Sequence, residues 1–193
     1  MKLNSKPDAE LIEAFAGTFL SHRYDSPCIT PQFHRDAWEL YCSDAQQAMV
    51  IAPRDHAKTT ALAFDYVLAM ALFRKHDYIV LIGSTEENAS EILCNISSEL
   101  HDNQALIDTF GPYEFTTDTK SDIICKFDDG NSFRILARGA EQKIRGKMWN
   151  GKRPNLLVVD DSEDDEQVEN KDRRMKFRRW FFRAARQALS IDG

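Results

Sequence analysis

Apolar positions along the chain follow two periods. Over residues 8–24, Leu11, Ile12, Phe15, Phe19 and Leu20 fall at helical spacing. The segment Pro27-Cys28-Ile29-Thr30-Pro31 breaks that helix. Residues 32–43 repeat the pattern with Phe33, Ala37, Leu40 and Tyr41. The period then changes: Gln47 to Pro53 contains the continuous run Ala48-Met49-Val50-Ile51-Ala52, which predicts a buried strand. Lys58 to Arg74 returns to helical spacing, with Leu62, Tyr66, Ala69 and Phe73 on one face. Tyr78-Ile79-Val80-Leu81-Ile82 predicts a second buried strand. Ser84 and Glu87 form a capping box for a helix reaching about Leu100. Asp122–Phe127 and Ser132–Ala137 flank Asp128-Asp129-Gly130-Asn131, a hairpin signal in which glycine supplies the positive φ. Asn155–Val159 predicts one more short strand, and a long helix is expected from about Asp164 to Leu189.

Apolar strands alternating with helices predict an α/β fold with a mostly parallel sheet flanked by helices in three layers. Residues 1–45 read as a helical lead-in and 46–193 as one core domain. Hydrophobic residues make up 42% and charged residues 29% of the 193 positions, proportions of an ordinary globular chain. No apolar run approaches the roughly 20 residues that span a bilayer. The opening Met1-Lys2-Leu3-Asn4-Ser5-Lys6 has no apolar stretch behind it, so neither a secretory leader nor a membrane role is expected. Cys28, Cys42, Cys94 and Cys125 are far apart, and the five histidines are scattered. The cysteines read as reduced, buried thiols, and neither set has zinc-ligand spacing. The net charge of −6 argues against a surface that clamps nucleic acid everywhere, but leaves room for local contact. The charge is uneven: carboxylates crowd 160–169, and basic residues crowd 171–186.

The strand predicted to end at Ile51 runs into Ala52-Pro53-Arg54-Asp55-His56-Ala57-Lys58-Thr59-Thr60, with a helix opening at Lys58. Strand, loop, then Lys-Thr at a helix start is the context of a phosphate-binding P-loop. There, loop N–H groups cradle the phosphates, Lys58 neutralises the β and γ phosphates, and the Thr59 hydroxyl ligates Mg²⁺. Ala52 and Ala57 stand where the Gly-x4-Gly-Lys-Ser/Thr consensus has glycine. Arg54 is placed to stabilise charge on the γ phosphate. The competing reading is a polar turn carrying an exposed lysine.

Leu156-Leu157-Val158-Val159-Asp160-Asp161 is an apolar strand ending in two carboxylates, about 100 residues beyond Lys58. Asp160 suits a Mg²⁺ ligand, and Asp161 or Glu163 suits the carboxylate that activates water. A strand that simply enters a solvated acidic loop is the alternative. Gln32 and His34, in Gln32-Phe33-His34-Arg35-Asp36 upstream of the loop, suit hydrogen bonds to an adenine edge; an ordinary amphipathic helix is the alternative. Lys143 and Arg145 lie in the glycine- and base-rich 137–146 segment and suit phosphate of nucleotide or DNA, unless that loop is merely solvated. Aromatics interleave with arginines over 171–186; Phe177 and Phe181 are expected in the core.

In this order, Phe33-His34-Arg35, Pro53 to Thr59, Gly83-Ser84-Thr85, Ala137-Arg138-Gly139, Ile144-Arg145-Gly146 and Arg153-Pro154-Asn155-Leu156 running to Glu163 resemble the large terminase proteins of tailed phages and prophages. The resemblance spans about residues 30–187. It implies a helicase-like P-loop NTPase domain that hydrolyses ATP with Mg²⁺ to drive double-stranded DNA into a prohead. It also implies a homo-oligomeric ring on the portal protein, a small terminase subunit as partner, and action in the host bacterial cytoplasm. A monomer is expected in isolation. The family's coupling strand and nuclease domain would lie beyond Gly193, so the chain is expected to be the motor domain alone, binding nucleotide but not cutting DNA. Two alternatives stand beside this: another P-loop DNA motor of helicase type, and a nucleotide-free module that docks on the portal or small subunit.

Overall fold

Two tight turns determine half of the sheet. β2 (Tyr113–Thr119), β3 (Asp122–Phe127) and β4 (Ser132–Gly139) follow one another too closely for a crossover, so they pair antiparallel. The β3–β4 turn is the predicted hairpin: Gly130 has φ 83°, and its N–H donates to the Phe127 carbonyl at 3.0 Å. The computed structural model describes residues 6–24, 29–53, 56–111, 113–161 and 171–190. Among them, β1 (Tyr78–Gly83) pairs parallel with both β4 and β5 (Leu156–Val159). The five strands run β2-β3-β4-β1-β5 in an open sheet. The fold is therefore α/β with a mixed sheet, whereas the apolar runs alone predict a mostly parallel one. The predicted elements omit β2, whose alternating half-buried pattern includes Thr116, Thr117 and Asp118, and omit the short helix α5 (Gln104–Phe110).

Every residue of β1 is buried, which explains its unbroken apolar run. Ile79 and Leu81 face one core cluster, while Tyr78, Val80 and Ile82 face another. The first and larger cluster joins the sheet to α1 (Ala9–Phe19), α2 (Gln32–Cys42), α3 (Tyr66–Leu72), α4 (Glu86–Asp102) and α5. The second is closed by Ile144 and by Ala185 and Ala188, which follow α6 (Lys171–Trp180). Helices thus cover both faces. Trp180 and Phe181 pack on the second cluster. Phe177 is half-buried and meets the rings of Trp180 and Phe181 instead of entering the core. The start of the predicted long helix, 164–170, lies outside the described residues.

The caps follow local chemistry. Asp8 accepts from the Leu11 N–H at 2.9 Å and starts α1. At α4 the cap is Thr85, accepting from Asn88 N–H at 3.1 Å, one residue later than the expected Ser84; the Ser84 hydroxyl accepts from the Asn88 side chain instead. Cys94 is exposed, not buried as expected, whereas Cys125 is fully buried. No helix among the described residues is long and apolar enough to cross a membrane.

One predicted element is absent. Residues 47–53 form no strand; Met49 and Ile51 are 79% and 84% exposed, while Val50 turns toward the first cluster. The apolar run is extended but unladdered. Pro53 has no N–H to give a neighbour, and the Ala52 and Pro53 carbonyls accept from a lysine.

Candidate functional site

A π-helical turn, Thr59–Asp65, precedes α3, and its first residues meet the end of β5. The Thr59 hydroxyl donates to Asp160 Oδ2 at 2.6 Å, across 101 residues of sequence. Asp160 is held at the sheet edge by its own N–H, which donates to the Ile82 carbonyl at 2.8 Å. The sequence-predicted pair thus converges at one corner, at the carboxyl ends of the parallel strands. Burial raises the Asp160 carboxyl above its ordinary range. Repulsion from Asp161 adds to this, while the Thr59 hydrogen bond and Lys58 oppose it. An anion held in that state favours a cation beside it. Asp161 is exposed and sits at φ 40°, turning the chain sharply after the strand.

Lys58 Nζ donates to the Ala52 and Pro53 carbonyls at 2.6 and 2.5 Å. It pins the two ends of the loop together. Ala57 has φ 47°, a left-handed conformation that glycine adopts freely and alanine does not. Its carbonyl accepts from the Ala61 N–H at 2.9 Å, which starts the helical turn. Thr60 continues that turn. Trp38 Nε1 donates to the Ala61 carbonyl at 3.0 Å, and the Tyr66 N–H reaches the same carbonyl, so the wide turn is braced from α2.

α2 also holds the loop. The buried His34 places Nε2 2.8 Å from the His56 carbonyl, and Phe33 meets the His56 ring edge-on at 5.5 Å. Burial lowers the His34 pKa, so the ring is neutral at pH 7 and donates through Nε2. His34 is thereby committed to positioning the loop. Gln32, the other residue assigned to an adenine edge, is exposed and donates to Asp36 at 2.8 Å. Arg54, Asp55 and Glu163 lie outside the described residues.

Along the same sheet edge, the loop after β4 exposes Lys143 and Arg145 on either side of the buried Ile144. Its base carries a network that the sequence reading missed. Gln142 donates to Glu86 Oε2 at 2.7 Å and accepts from the Gly139 N–H at 3.1 Å, and the Trp180 indole donates to the Gln142 carbonyl at 3.0 Å. Gly83 and Gly139 are paired in register there. A Cβ on Gly139 would lie 2.7 Å from Glu86 N, and one on Gly83 would lie 2.8 Å from Ala89 N. Glycine at both strand ends is the signal that could have found this close approach of α4. Nothing in the sequence marks Gln142.

Among the described residues no group of three or more His, Cys, Asp or Glu is arranged to hold a metal. The Thr59 hydroxyl and Asp160 carboxylate are hard oxygen donors, suited to a Mg²⁺ ion whose other ligands are water and phosphate. No protein-family model, curated protein or solved structure matches the chain.

Proposed function

We propose that the corner formed by Lys58, Thr59 and Asp160 binds Mg-ATP and hydrolyses it, in a P-loop NTPase domain acting as the motor of a tailed-phage large terminase. One observation carries the reading: the Thr59–Asp160 hydrogen bond joins a Lys-Thr helix start to a strand-end carboxylate at the carboxyl edge of the sheet. That edge is where α/β proteins of this kind place phosphates. The half-buried Asp160 carboxylate and the adjacent Thr59 hydroxyl fit Mg²⁺, which would screen the charge of the phosphates. Lys58 leaves the Ala52 and Pro53 carbonyls and bonds the β and γ phosphate oxygens in their place. Backbone N–H groups from Pro53 to Thr60, proline excepted, line the phosphates; Arg54 answers the charge that grows on the γ phosphate. Asp161 or Glu163 takes the proton of the attacking water as its oxygen bonds the γ phosphorus and ADP leaves. Gln32 remains available for the adenine edge. Lys143 and Arg145 offer cations to DNA phosphate. Double-stranded DNA, the portal, the small terminase subunit, the ring and the host cytoplasm follow from the family resemblance in the same proposal.

A second reading has its own observation. With Lys58 engaged by two carbonyls and Ala57 strained, the loop also suits a nucleotide-free module that docks on the assembly. Calorimetric titration of ADP with Mg²⁺ into this chain and into Lys58→Ala separates the two. The motor reading expects saturable binding that the variant loses. Binding in neither protein favours the docking module. Equal binding in both removes Lys58 from the site.

A further inference from the structure

A cleft of about 710 Å³ opens at the other end of the parallel strands, below Asp77, Ser132 and Asn155. β1 separates it from Asp160 by six residues, or about 20 Å at ~3.3 Å each. In a chain of net charge −6, its lining carries Arg74, Lys75, Lys152 and Arg153 against a single carboxylate, Asp77. Burial lowers the His76 pKa, so that lining ring adds little charge at neutral pH; with Asp129 at the rim pairing Arg74 and Asp77 pairing Lys152, the four cations face two carboxylates and keep a formal excess of two. Asn131 and Ser132 add neutral hydrogen-bonding groups, while the Asn155 amide is engaged by Asp77 and the Tyr78 N–H and braces the floor.

Arg74 is held for this position. The Arg74 N–H donates to the Ala71 carbonyl at 3.0 Å and the Lys75 N–H to the Met70 carbonyl at 3.0 Å, closing the end of α3 in a Schellman turn. The left-handed residue in that turn is ordinarily glycine; here it is Arg74, at φ 61°. Its guanidinium lies 4.2 Å from the centre of the Phe127 ring and pairs with Asp129 at the rim, which fixes its direction. Lys152 is likewise steadied by Asp77, and Arg153 is exposed beside it. Cations of fixed direction around a concave, hydrogen-bonding floor suit an oxyanion with several acceptor oxygens. The volume is that of a small-molecule site.

We propose that this cleft is a second anion site, binding a phosphate ester independently of the Lys58–Asp160 corner. The phosphate could come from a free sugar phosphate or from a nucleic-acid backbone, and both are probed. Ribose 5-phosphate and, separately, a 20-base-pair duplex are titrated into the full chain carrying Lys58→Ala, so that failure of the nucleotide site does not enter. Amide resonances report the position of binding. Saturable shifts at Asn131–Phe133 and Lys152–Asn155 are expected, with affinity falling at least tenfold on adding Arg153→Glu. Shifts with the sugar phosphate make it a small-ligand site; shifts with the duplex alone make it a backbone contact. Arg153→Glu changes an exposed residue, and the same spectra report whether the fold is kept. No shift with either probe, or undiminished affinity in folded Arg153→Glu, overturns the proposal.

Discussion

Replacing Ala57 by glycine should stabilise the protein, although the substitution removes a methyl group. Ala57 is exposed and sits at φ 47°, so its Cβ makes no core contact and stands in the left-handed region. That conformation costs an L-residue roughly 1–2 kcal/mol. Glycine removes the cost but widens the unfolded ensemble, returning about 0.4–1 kcal/mol. The balance is a gain of about 0.5–1 kcal/mol, or about 1–4 °C in Tm for a domain of this size. Thermal and urea melts of Ala57→Gly are compared with Ala105→Gly, on the exposed side of α5, where ordinary helical geometry should make glycine cost about 1 kcal/mol. Opposite signs are expected for the two variants. A fall in both would refute the reasoning, since it would mean that the loop is not held left-handed at Ala57 in solution.

Thr59→Val should weaken Mg²⁺-dependent ADP binding at least about tenfold while leaving the nucleotide-free melting temperature nearly unchanged, because the lost hydroxyl is exposed; calorimetry with and without Mg²⁺ checks both halves. Gly139→Ala should cost about 1–3 kcal/mol in urea unfolding, since the new Cβ meets backbone atoms that cannot rotate away. Asp65 is fully buried, and its carboxyl is pushed up to about 7, mainly by burial and further by Glu99, against the Tyr24 hydrogen bond and Arg23. The folded state therefore binds a proton that the unfolded state releases, so this group makes stability fall as pH rises from about 4 to 7. Urea midpoints at pH 5 and 7.5 should differ less in Asp65→Asn than in the natural sequence; an unchanged difference would rule out that titration. Asp161→Asn and Glu163→Gln should separate the two candidates for the water-activating carboxylate, one of which should abolish ATP turnover while sparing ADP binding.

Elements with a strong period were legible in the sequence. The run Tyr78–Ile82 is buried on both faces, and the 3.6-residue spacing of Ile12 and Phe15 places both in the core. The Asp128–Asn131 turn was legible because glycine's φ is a local property. The 48–52 run misled for the opposite reason. Apolar composition says that a segment can be covered, but a ladder needs a partner edge in register, and that depends on residues far away. β2 was hidden by its threonines and acids, which suit a half-exposed strand at the edge of the sheet. At the site, Lys58, Thr59 and Asp160 could be read from residue type and context, and two of them do meet. His34 could be noticed, but its engagement with the His56 carbonyl could not be foreseen, because that depends on how closely α2 approaches the loop.

The sheet's last strand has a consequence for how copies of this chain treat one another. Among the described residues β5 pairs only with β1, leaving its outer row of N–H and C=O groups open. The same chain carries an extended apolar segment around Val50 whose Met49 and Ile51 face solvent. An open edge and an unladdered segment of similar length are complementary halves of a strand-exchange interface. Two molecules that each offered the segment to the other's edge would pair reciprocally, and such pairing would grow with concentration. A lysine in place of Ile51 would interrupt that exchange without touching either core cluster.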